Sequence, residues 1–403
     1  MDELELDLRA LAAIGADLDA GGVTRVAWSP ELFEAYGFLG RRGAECRLTH
    51  DVDPAGNAFL RWNAGAGPAL LIGSHLDTVP NGGRFDGALG VFSGLDVLRA
   101  LGRDGYEPRI PLWVTAFMDE EGTRFGTALL GSRAFVGGDL GGLGERRSRE
   151  GTSLREAMAE RGFDFDRASD AAAVSEIRGY LELHIEQGPV LERNGEDVGI
   201  VTSIVGLIGL DVRFEGQANH AGTTPMSLRR DALAGAARAV LELRDLARGH
   251  EGHTANVGTI TVEPGGKNVI PGVCEFSVDV RAAAHADFET LDGRARAVLE
   301  RIAHEEGLDL TVRELYRVPP VPLDTGMIDA LERAAELEGA SSRRMPSGAG
   351  HDAQVIAPHV PTGMLFVPSR RGISHNPAEY TSPEHCATGS RVLRRAVTML
   401  ADA

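Results

Sequence analysis

Two acidic residues and a histidine lie close together in the stretch LLIGSHLDTVPNGGRFDGALG, which covers residues 70–90. His75 and Asp77 come at the end of an apolar run, and on a strand they would share one face. Asp77 is therefore expected to accept the second ring N–H of His75 and to orient that ring for a metal ion. Asp86 lies among glycines, which allow a close approach of the backbone. The stretch indicates a metal site, with an ordinary glycine loop as the structural alternative.

Three further stretches place acidic or histidine side chains within a predicted strand or just after one. The stretches FMDEEGTRFG, LELHIEQGPVLE and GISHNPAEYT contribute Asp119, Glu120, Glu121, His184 and His375. Taken singly, these residues have plain structural alternatives: a solvated acidic turn, a core histidine and a surface histidine. Together with His75 and Asp86 they supply nitrogen and oxygen ligands for two borderline divalent ions. The adjacent carboxylates after Asp119 could act separately, one on a metal ion and one on a proton.

The elements that must position these side chains alternate between strand and helix from about residue 66 to 200. Buried strands are predicted at Ala69–Ser74, Ile110–Met118 and Tyr180–Ile185, with a helix at Val91–Leu101. This alternation favours an α/β domain with layers of helix and sheet. Functional groups in such domains lie at the carboxyl ends of the strands, where the candidate ligands fall.

A different pattern begins at Gly206. The predicted order is a strand through Leu210–Phe214, a helix at Ser227–Ala247, strands at Val257–Val262 and Glu275–Arg281, a helix at Asp287–His304 and a strand at Leu308–Leu315. This order is the ferredoxin-like β-α-β-β-α-β motif. After the proline-rich joint YRVPPVPLDTG the α/β pattern resumes, and Ser382-Pro383 opens a last helix. We therefore predict a discontinuous catalytic domain over residues 1–205 and 319–403, interrupted by a smaller α+β domain over 206–318.

Composition excludes several classes of protein. The 403-residue chain carries a net charge of −18 and no basic run, so a nucleic-acid partner is not expected. Its three cysteines lie far apart, which argues against a disulfide framework and for a reducing compartment. The N-terminal stretch is acidic and amphipathic, unlike a signal peptide, and no apolar run approaches the length of a membrane span. These features predict a cytoplasmic protein that does not bind a membrane.

With these motifs the sequence resembles the metal-dependent amidohydrolases of the aminoacylase/carboxypeptidase clan. Within that clan it is similar to the branch of N-carbamoyl-L-amino acid hydrolases, β-ureidopropionases and allantoate amidohydrolases. The resemblance runs from GSHLDTVPNGGRFDG to GISHNPAEYT and includes EEGTRFG, HIEQGPVLE, GQANHAGTTPM, GGKNVIPG and SGAGHDAQ. His184 in HIEQG favours this branch over the peptidases, which usually have a carboxylate there. The resemblance implies a zinc-peptidase-like catalytic domain with a mixed sheet between helices, and an inserted lid domain used for dimerisation.

The resemblance also implies a set of metal ligands. One ion would be bound by His75, Asp86 and His184, and the other by Asp86, Glu121 and His375, so that Asp86 bridges them. Each subunit would then hold two divalent ions. Zinc, manganese, cobalt and nickel all accept such ligands, and the sequence does not choose between them.

Further residues receive roles from the same resemblance. Glu120 matches the general acid/base and Asp77 the partner of His75, while His220 would contact the carbonyl oxygen in the transition state. Asn268 and Arg281 would bind the substrate carboxylate, in keeping with the bidentate geometry of a guanidinium. Taken alone, these last three are a loop histidine, a turn asparagine and a surface arginine. The remaining pocket residues implied are Gln187, Gly350 and His351, with Asp352 either in the pocket or capping the following helix.

The resulting prediction is hydrolysis of the ureido C–N bond of a small N-carbamoyl-L-amino acid, giving the amino acid, carbon dioxide and ammonia. Allantoate amidohydrolase is the nearest alternative because it shares every quoted motif. A related N-acyl-amino acid amidase is less favoured, and so is a peptidase, the latter because of His184. A non-catalytic binding protein would need a lost ligand or base, and every ligand position and Glu120 are filled. We also expect a homodimer, formed through the inserted domain, in which His220 serves the metal site of the second copy.

Overall fold

The computed structural model describes residues 3–250 and 252–402. The chain forms two units, one of residues 3–202, 323–345 and 349–402, the other of residues 203–322 and 346–348 apart from residue 251. The second unit begins slightly before and ends slightly after the predicted insertion at 206–318. Each unit contains a β-sheet.

The helices and strands have the following bounds. The α-helices are α1 (Glu3–Leu11), α2 (Pro30–Glu45), α3 (Ala88–Arg103), α4 (Leu130–Phe135), α5 (Leu154–Glu160), α6 (Val190–Asn194), α7 (Ala232–Arg248), α8 (His285–Glu306), α9 (Thr325–Glu338), α10 (Asp352–Ile356) and α11 (Pro383–Asp402). The strands are β1 (Thr49–Val52), β2 (Ala58–Trp62), β3 (Ala69–His75), β4 (Leu112–Phe117), β5 (Ile177–Ile185), β6 (Val198–Ile204), β7 (Gly206–Glu215), β8 (Asn219–His220), β9 (Thr254–Asn256), β10 (Ile260–Glu263), β11 (Val269–Ile270), β12 (Val273–Ala282), β13 (Asp309–Val318), β14 (Val321–Pro322), β15 (Ser342–Ser347) and β16 (Thr362–Val367). Short 3-10 helices lie at Leu143–Glu145, Phe165–Ala171, Val174–Glu176, Met226–Leu228 and Arg370–Gly372.

The sheet of the first unit runs in the order β1-β2-β4-β3-β5-β16-β6. Strands β4, β3, β5 and β16 are parallel to one another, whereas β2 pairs antiparallel with β4 and β6 with β16. The predicted α/β class, with a mixed sheet and helices, is confirmed. Because parallel strands end at the same edge, the segments that follow β3, β4, β5 and β16 are brought together there.

The central strand β3 explains why this edge is so well fixed. All of its residues, ALLIGSH, are buried, which is typical of a parallel strand covered on both faces. After the loop that carries Asp86, Gly87 adopts a positive φ of 63° and α3 begins at Ala88, earlier than the predicted Val91. Helix α3 is buried along most of its length and packs on β3. The loop between these two elements therefore has both ends anchored.

The second unit contains an antiparallel sheet in the order β10-β12-β7-β13, with β9 also paired to β12. Apolar side chains of β7, among them Leu210, Val212 and Phe214, form a core with residues of α7 and α8. Polar residues such as Asp211 and Arg213 alternate with them on the opposite face. Apart from the short strands β8, β9 and β11, the elements follow one another as β7, α7, β10, β12, α8 and β13, which is the order strand, helix, strand, strand, helix and strand.

Two predicted elements of this unit differ in detail. The helix predicted from Ser227 begins at Ala232, because the Asp231 carboxylate caps it by accepting the main-chain N–H groups of Leu233 and Ala234 at 3.1 and 3.2 Å. The strand predicted at Val257–Val262 is observed only from Ile260, as β10, and a separate short strand, β9, precedes the predicted range. Between them the main-chain N–H of Thr259 donates to a serine hydroxyl, Ser277 Oγ, at 3.0 Å instead of a carbonyl.

Two expectations from composition can be compared with the coordinates. Among the residues that the structure describes, no helix combines the length and apolar character needed to cross a membrane. No disulfide joins Cys46, Cys274 or Cys386, all of which lie in the described part of the chain.

Candidate metal centre

Two histidines present the same ring nitrogen to a shared carboxylate. His75 Nδ1 lies 3.0 Å from the main-chain oxygen of Asp77, and His184 Nδ1 lies 2.9 Å from that of Ile185. A proton on Nδ1, donated to these carbonyls, leaves Nε2 of each ring as a lone-pair donor. His184 Nε2 lies 3.0 Å and His75 Nε2 3.8 Å from Oδ1 of Asp86. Nε2 of His75, Nε2 of His184 and Oδ1 of Asp86 therefore surround one point where an ion could bind.

The second oxygen of Asp86 faces another pair of donors. His375 Nε2 lies 3.2 Å from Asp86 Oδ2 and 3.5 Å from Glu121 Oε1. Donor atoms of Asp86, Glu121 and His375 lie within 4.8 Å of one another, and the same holds for His75, Asp86 and His184. Imidazole nitrogen and carboxylate oxygen are the ligands that zinc, manganese, cobalt and nickel accept. The donor set therefore fits two divalent ions that share Asp86.

A third group of potential ligands, Glu182, His184 and His351, meets the same distance limit. The carboxylate of Glu182 already accepts hydrogen bonds from the Ser74 hydroxyl at 2.7 Å and from the main-chain N–H of Ala353 at 3.0 Å. His184 is also part of the cluster around Asp86. This third group is therefore better explained as a hydrogen-bonded network that supports the candidate metal centre than as a site for a further ion.

Asp77 orients more than one ligand, and the structure differs here from the sequence prediction. Its main-chain oxygen lies 3.0 Å from His75 Nδ1, whereas its carboxylate Oδ1 lies 3.7 Å away. The carboxylate instead accepts the main-chain N–H groups of Glu120 and Glu121, each at 3.2 Å. Asp77 therefore holds the histidine through its backbone and the acidic loop after β4 through its side chain.

The cluster concentrates negative charge away from water. Burial raises the pKa of Glu120 well above its usual value, and the charges of neighbouring carboxylates raise it further. Burial, followed by the charge of Asp86, raises the pKa of Glu121 to about 8. Burial alone would raise the pKa of Asp86, but the charged imidazolium forms of His184 and His375 donate hydrogen bonds to it and hold it well below its usual range. A bound metal ion would take the place of the Nε2 proton of each ring. Cations among these groups would relieve the repulsion, so the electrostatics also fit divalent metal ions.

The predicted pocket residues of the first unit lie close to this cluster. Gln187 Nε2 donates to Asp86 Oδ2 at 2.9 Å, and among the described residues Gln187 Oε1 has no hydrogen-bond partner. His351, next to Gly350, is buried, and its ring centroid lies 4.5 Å from that of His184. Asp352 is buried in the first turn of α10 without a side-chain capping bond, so the alternative of a helix cap is not what the structure shows.

Two residues that support the site were missed at the sequence level. The Glu379 carboxylate, in the quoted motif GISHNPAEYT, accepts the main-chain N–H of Asp86 at 3.1 Å. Arg25 is fully buried and its Nε donates at 3.0 Å to the main-chain oxygen of Leu76, between His75 and Asp77. Burial lowers the pKa of Arg25 to about 10, although the charge of Asp77 opposes that shift. Glu379 could have been found because it lies four residues after His375 in a motif already quoted for the site, whereas Arg25 lies in no such motif.

His220, predicted to be catalytic, lies in the second unit and is exposed on β8, which pairs with β11. Its Nδ1 accepts the main-chain N–H groups of Gly222 and Thr223 at 3.0 and 3.2 Å. In the neutral ring the proton must then be on Nε2, which makes that nitrogen a hydrogen-bond donor. The main-chain oxygen of Asn268 accepts from Ala221 N–H at 2.9 Å, so the two predicted residues lie at the small two-stranded sheet formed by β8 and β11.

Arg281 lies near the end of β12 in the same unit. Its Nε donates to Asp279 Oδ1 at 2.8 Å and its Nη1 to the main-chain oxygen of Gly348 at 3.0 Å. The Tyr316 hydroxyl donates to the other oxygen of Asp279 at 3.2 Å. The guanidinium is therefore oriented by its own strand neighbour, and Asp279 is held in turn by the tyrosine.

Comparisons with known proteins agree with this geometry. The profile of the peptidase family M20/M25/M40 matches residues 71–399. The chain is 43% identical over 387 residues to an N-carbamoyl-L-amino acid amidohydrolase of Geobacillus stearothermophilus, covering 95% of this chain and 94% of the relative. It is 39% identical to an allantoate amidohydrolase of Bacillus subtilis, with 95% and 93% covered. A crystal structure of a hydantoinase/carbamoylase family amidase from Burkholderia multivorans superposes with a TM-score of 0.93 at 37% identity, over 99% of this chain and 97% of that one.

Glu120 and Glu121 are adjacent but are expected to do different work. Glu120→Gln should retain bound metal and lose about 10²–10⁴-fold in turnover, since an amide cannot shuttle a proton. Glu121→Gln, the matched control, should lose bound metal because it removes a charged ligand. Turnover and metal equivalents by elemental analysis, measured on both variants, give the comparison. Near wild-type turnover in Glu120→Gln would place the base elsewhere.

Proposed function

The chain belongs to the peptidase family M20/M25/M40, and within that family we propose that its substrates are N-carbamoyl-L-amino acids. The enzyme is an amidohydrolase acting on carbon–nitrogen bonds other than peptide bonds. Cleavage of the ureido C–N bond by one water molecule would give the L-amino acid, carbon dioxide and ammonia. The observation that carries the proposal is the pair of donor clusters sharing Asp86, in a chain whose relatives of near-equal length carry that activity in their names.

The metal ions would be held by the two clusters that share Asp86. His75 and His184 complete one, and Glu121 and His375 the other. Divalent ions bound there would supply Lewis acidity and lower the pKa of water, so that a nucleophile exists near neutral pH. Zinc, manganese, cobalt or nickel would serve, two ions per subunit.

Glu120 would move the proton. Its Oε2 lies 3.8 Å from His75 Nε2, and Asp77 fixes its main chain. In the proposed reaction Glu120 accepts a proton from the attacking water and returns one to the leaving nitrogen. Burial raises the pKa of Glu120 and so favours the protonated form of the second step, whereas the positive charge of bound metal ions would lower that pKa and favour the carboxylate of the first step. One carboxylate can thus serve as base and then as acid.

Substrate recognition would use both units. The Nε2–H of His220 is suited to donate to the carbamoyl oxygen as negative charge develops on it. Arg281 and Asn268 would bind the carboxylate, with Asp279 keeping the guanidinium in a fixed orientation. The pocket in the first unit would be lined by Gln187, Gly350 and His351. These roles rest on the sequence motifs and on the donor positions within each unit.

We further propose that the enzyme is a cytoplasmic homodimer. The wide spacing of the cysteines supports the reducing compartment. The second unit leaves β10 and β13 as sheet edges, and Ile260 on β10 and Leu241 on α7 are each about half exposed. Apolar side chains on an open edge and on a neighbouring helix suit a two-fold contact with a second copy.

Allantoate amidohydrolase is the second candidate, because relatives of that name are 39% and 37% identical to the chain over almost its whole length. Allantoate also carries ureido groups beside a carboxylate, so the same clusters would serve.

Ammonia release from a panel of substrates tests the proposed function. Metal-loaded enzyme should release ammonia from N-carbamoyl-L-amino acids and should discriminate against their D-enantiomers, which are the matched controls. Exclusive activity on allantoate would select the second candidate. Cleavage of N-acetyl-amino acids or dipeptides without any ureido activity would contradict both.

Mixed dimers test whether His220 serves the second copy. Glu120→Gln and His220→Ala chains, each inactive alone, are co-expressed with different tags and the mixed dimer is isolated. If His220 acts across the dimer, one site combines an intact Glu120 with an intact His220, and up to half the wild-type activity should return. A mixed dimer of Glu120→Gln with the Glu120→Gln/His220→Ala double variant is the control and should remain inactive. An inactive first mixture would mean that His220 serves its own chain or is not catalytic.

A further inference from the structure

One buried carboxylate holds the loop that carries Asp86. Glu379 is 4% exposed, and its Oε1 accepts the main-chain N–H groups of Phe85 and Asp86 at 2.9 and 3.1 Å. These N–H groups lie in a loop, where no helix or strand provides a carbonyl acceptor for them, and the Glu379 carboxylate accepts both instead. An unsatisfied buried N–H costs free energy comparable to a lost hydrogen bond. The position of the Asp86 backbone therefore depends on a residue almost 300 positions later in the chain.

The other oxygen of the same carboxylate holds a second ligand loop. Glu379 Oε2 accepts the hydroxyl of Ser374 at 2.8 Å, and Ser374 Oγ also lies 3.1 Å from Asp86 Oδ2. Ser374 directly precedes His375, whose φ of 53° is in the left-handed region. A non-glycine residue stays in that region only where its surroundings fix it. Glu379 thus contacts two of the three chain segments that form the second donor cluster, those of Asp86 and His375.

A glycine makes room for this arrangement. A Cβ atom added at Gly83 would lie 2.0 Å from Oε1 and 2.1 Å from Cδ of Glu379. No side chain fits at that distance without moving the carboxylate. The second glycine of NGGRFDG is therefore required by Glu379, in addition to any flexibility that it gives the loop.

We propose that Glu379 is a positioning residue that fixes the distance between Asp86 and His375. The ion site formed by Asp86, Glu121 and His375 would then depend on where the two carboxylate oxygens of Glu379 lie. We rest this inference on the metal-dependent function proposed above. The residue acts through main-chain N–H groups and Ser374, so what matters is the position of its oxygens rather than its charge. Residues that orient metal ligands in this way typically contribute about 10–100-fold in metal affinity or activity.

Two substitutions separate position from charge. Glu379→Asp keeps the charge but withdraws the carboxylate by one methylene from Phe85 and Asp86. Glu379→Gln removes the charge but keeps an oxygen for the two N–H groups, and its amide N–H can donate to Ser374 Oγ. Gly83→Ala displaces the native carboxylate without changing it. Glu384→Ala, an exposed carboxylate of α11, is the control.

Titration of metal-free protein with cobalt(II), followed by visible absorption and by elemental analysis, tests the proposal. Wild type, Glu384→Ala and Glu379→Gln should bind two cobalt ions with similar affinity. Glu379→Asp and Gly83→Ala should keep the far-ultraviolet circular dichroism of wild type. In both variants the affinity for one of the two cobalt ions should fall by about 10–100-fold. Recovery of turnover at high cobalt in those two variants would show that positioning, not chemistry, was lost.

The outcomes that overturn the proposal are distinct from failure of the proposed function. Unchanged cobalt binding in Glu379→Asp would overturn it, and so would weakening in Glu379→Gln as large as that in Glu379→Asp. Wild-type protein that binds fewer than two cobalt ions would instead overturn the dinuclear function, and this inference with it.

Discussion

Asp86 offers one carboxylate oxygen to each of two donor clusters. The surrounding residues of the first unit bury this carboxylate, keep it charged and fix its position. The side chain is 5% exposed, an environment that disfavours an isolated ion by several kcal/mol. The charged imidazolium forms of His184 and His375 donate hydrogen bonds to it and hold its pKa well below the usual range despite burial. Further buried acidic groups surround it, so cations are needed where the protein supplies mostly negative charge. The proposed dinuclear metal centre would supply those cations.

The sheet topology brings the components together. Parallel strands β3, β4, β5 and β16 end at one edge, and each is followed by, or contains near its end, one part of the centre. Main-chain oxygens fix the tautomers of His75 and His184, while the Asp77 side chain holds the loop of Glu120. Gly87 is required here, because a Cβ atom would lie 2.5 Å from the His75 ring. Rigid strand ends and tight loops leave the donors little freedom, which favours metal binding at low entropic cost.

Most of the candidate ligands could be predicted from the sequence because their signals are local. A histidine or carboxylate at the end of an apolar strand is visible in a few residues, as with His75 and Glu121. The supporting interactions could not be predicted because they join distant segments. Glu379 belongs to a motif quoted for the site, but nothing in that motif indicates that its carboxylate accepts the N–H of Asp86, and no motif indicates that Arg25 donates to Leu76. The start of α7 was misplaced for a related reason, since Asp231 and Ser227 are both capable caps and only Asp231 is in position.

The shared carboxylate makes one measurement decisive: the metal equivalents that remain bound to Asp86→Ala after exhaustive dialysis, relative to wild type. Because Asp86 contributes to both donor clusters, wild type should retain two equivalents per chain and Asp86→Ala close to none, with the fold intact by circular dichroism. Retention of one full equivalent by the folded variant would show that one cluster binds its ion without Asp86. That result would contradict the central claim that a single bridging carboxylate organises the site.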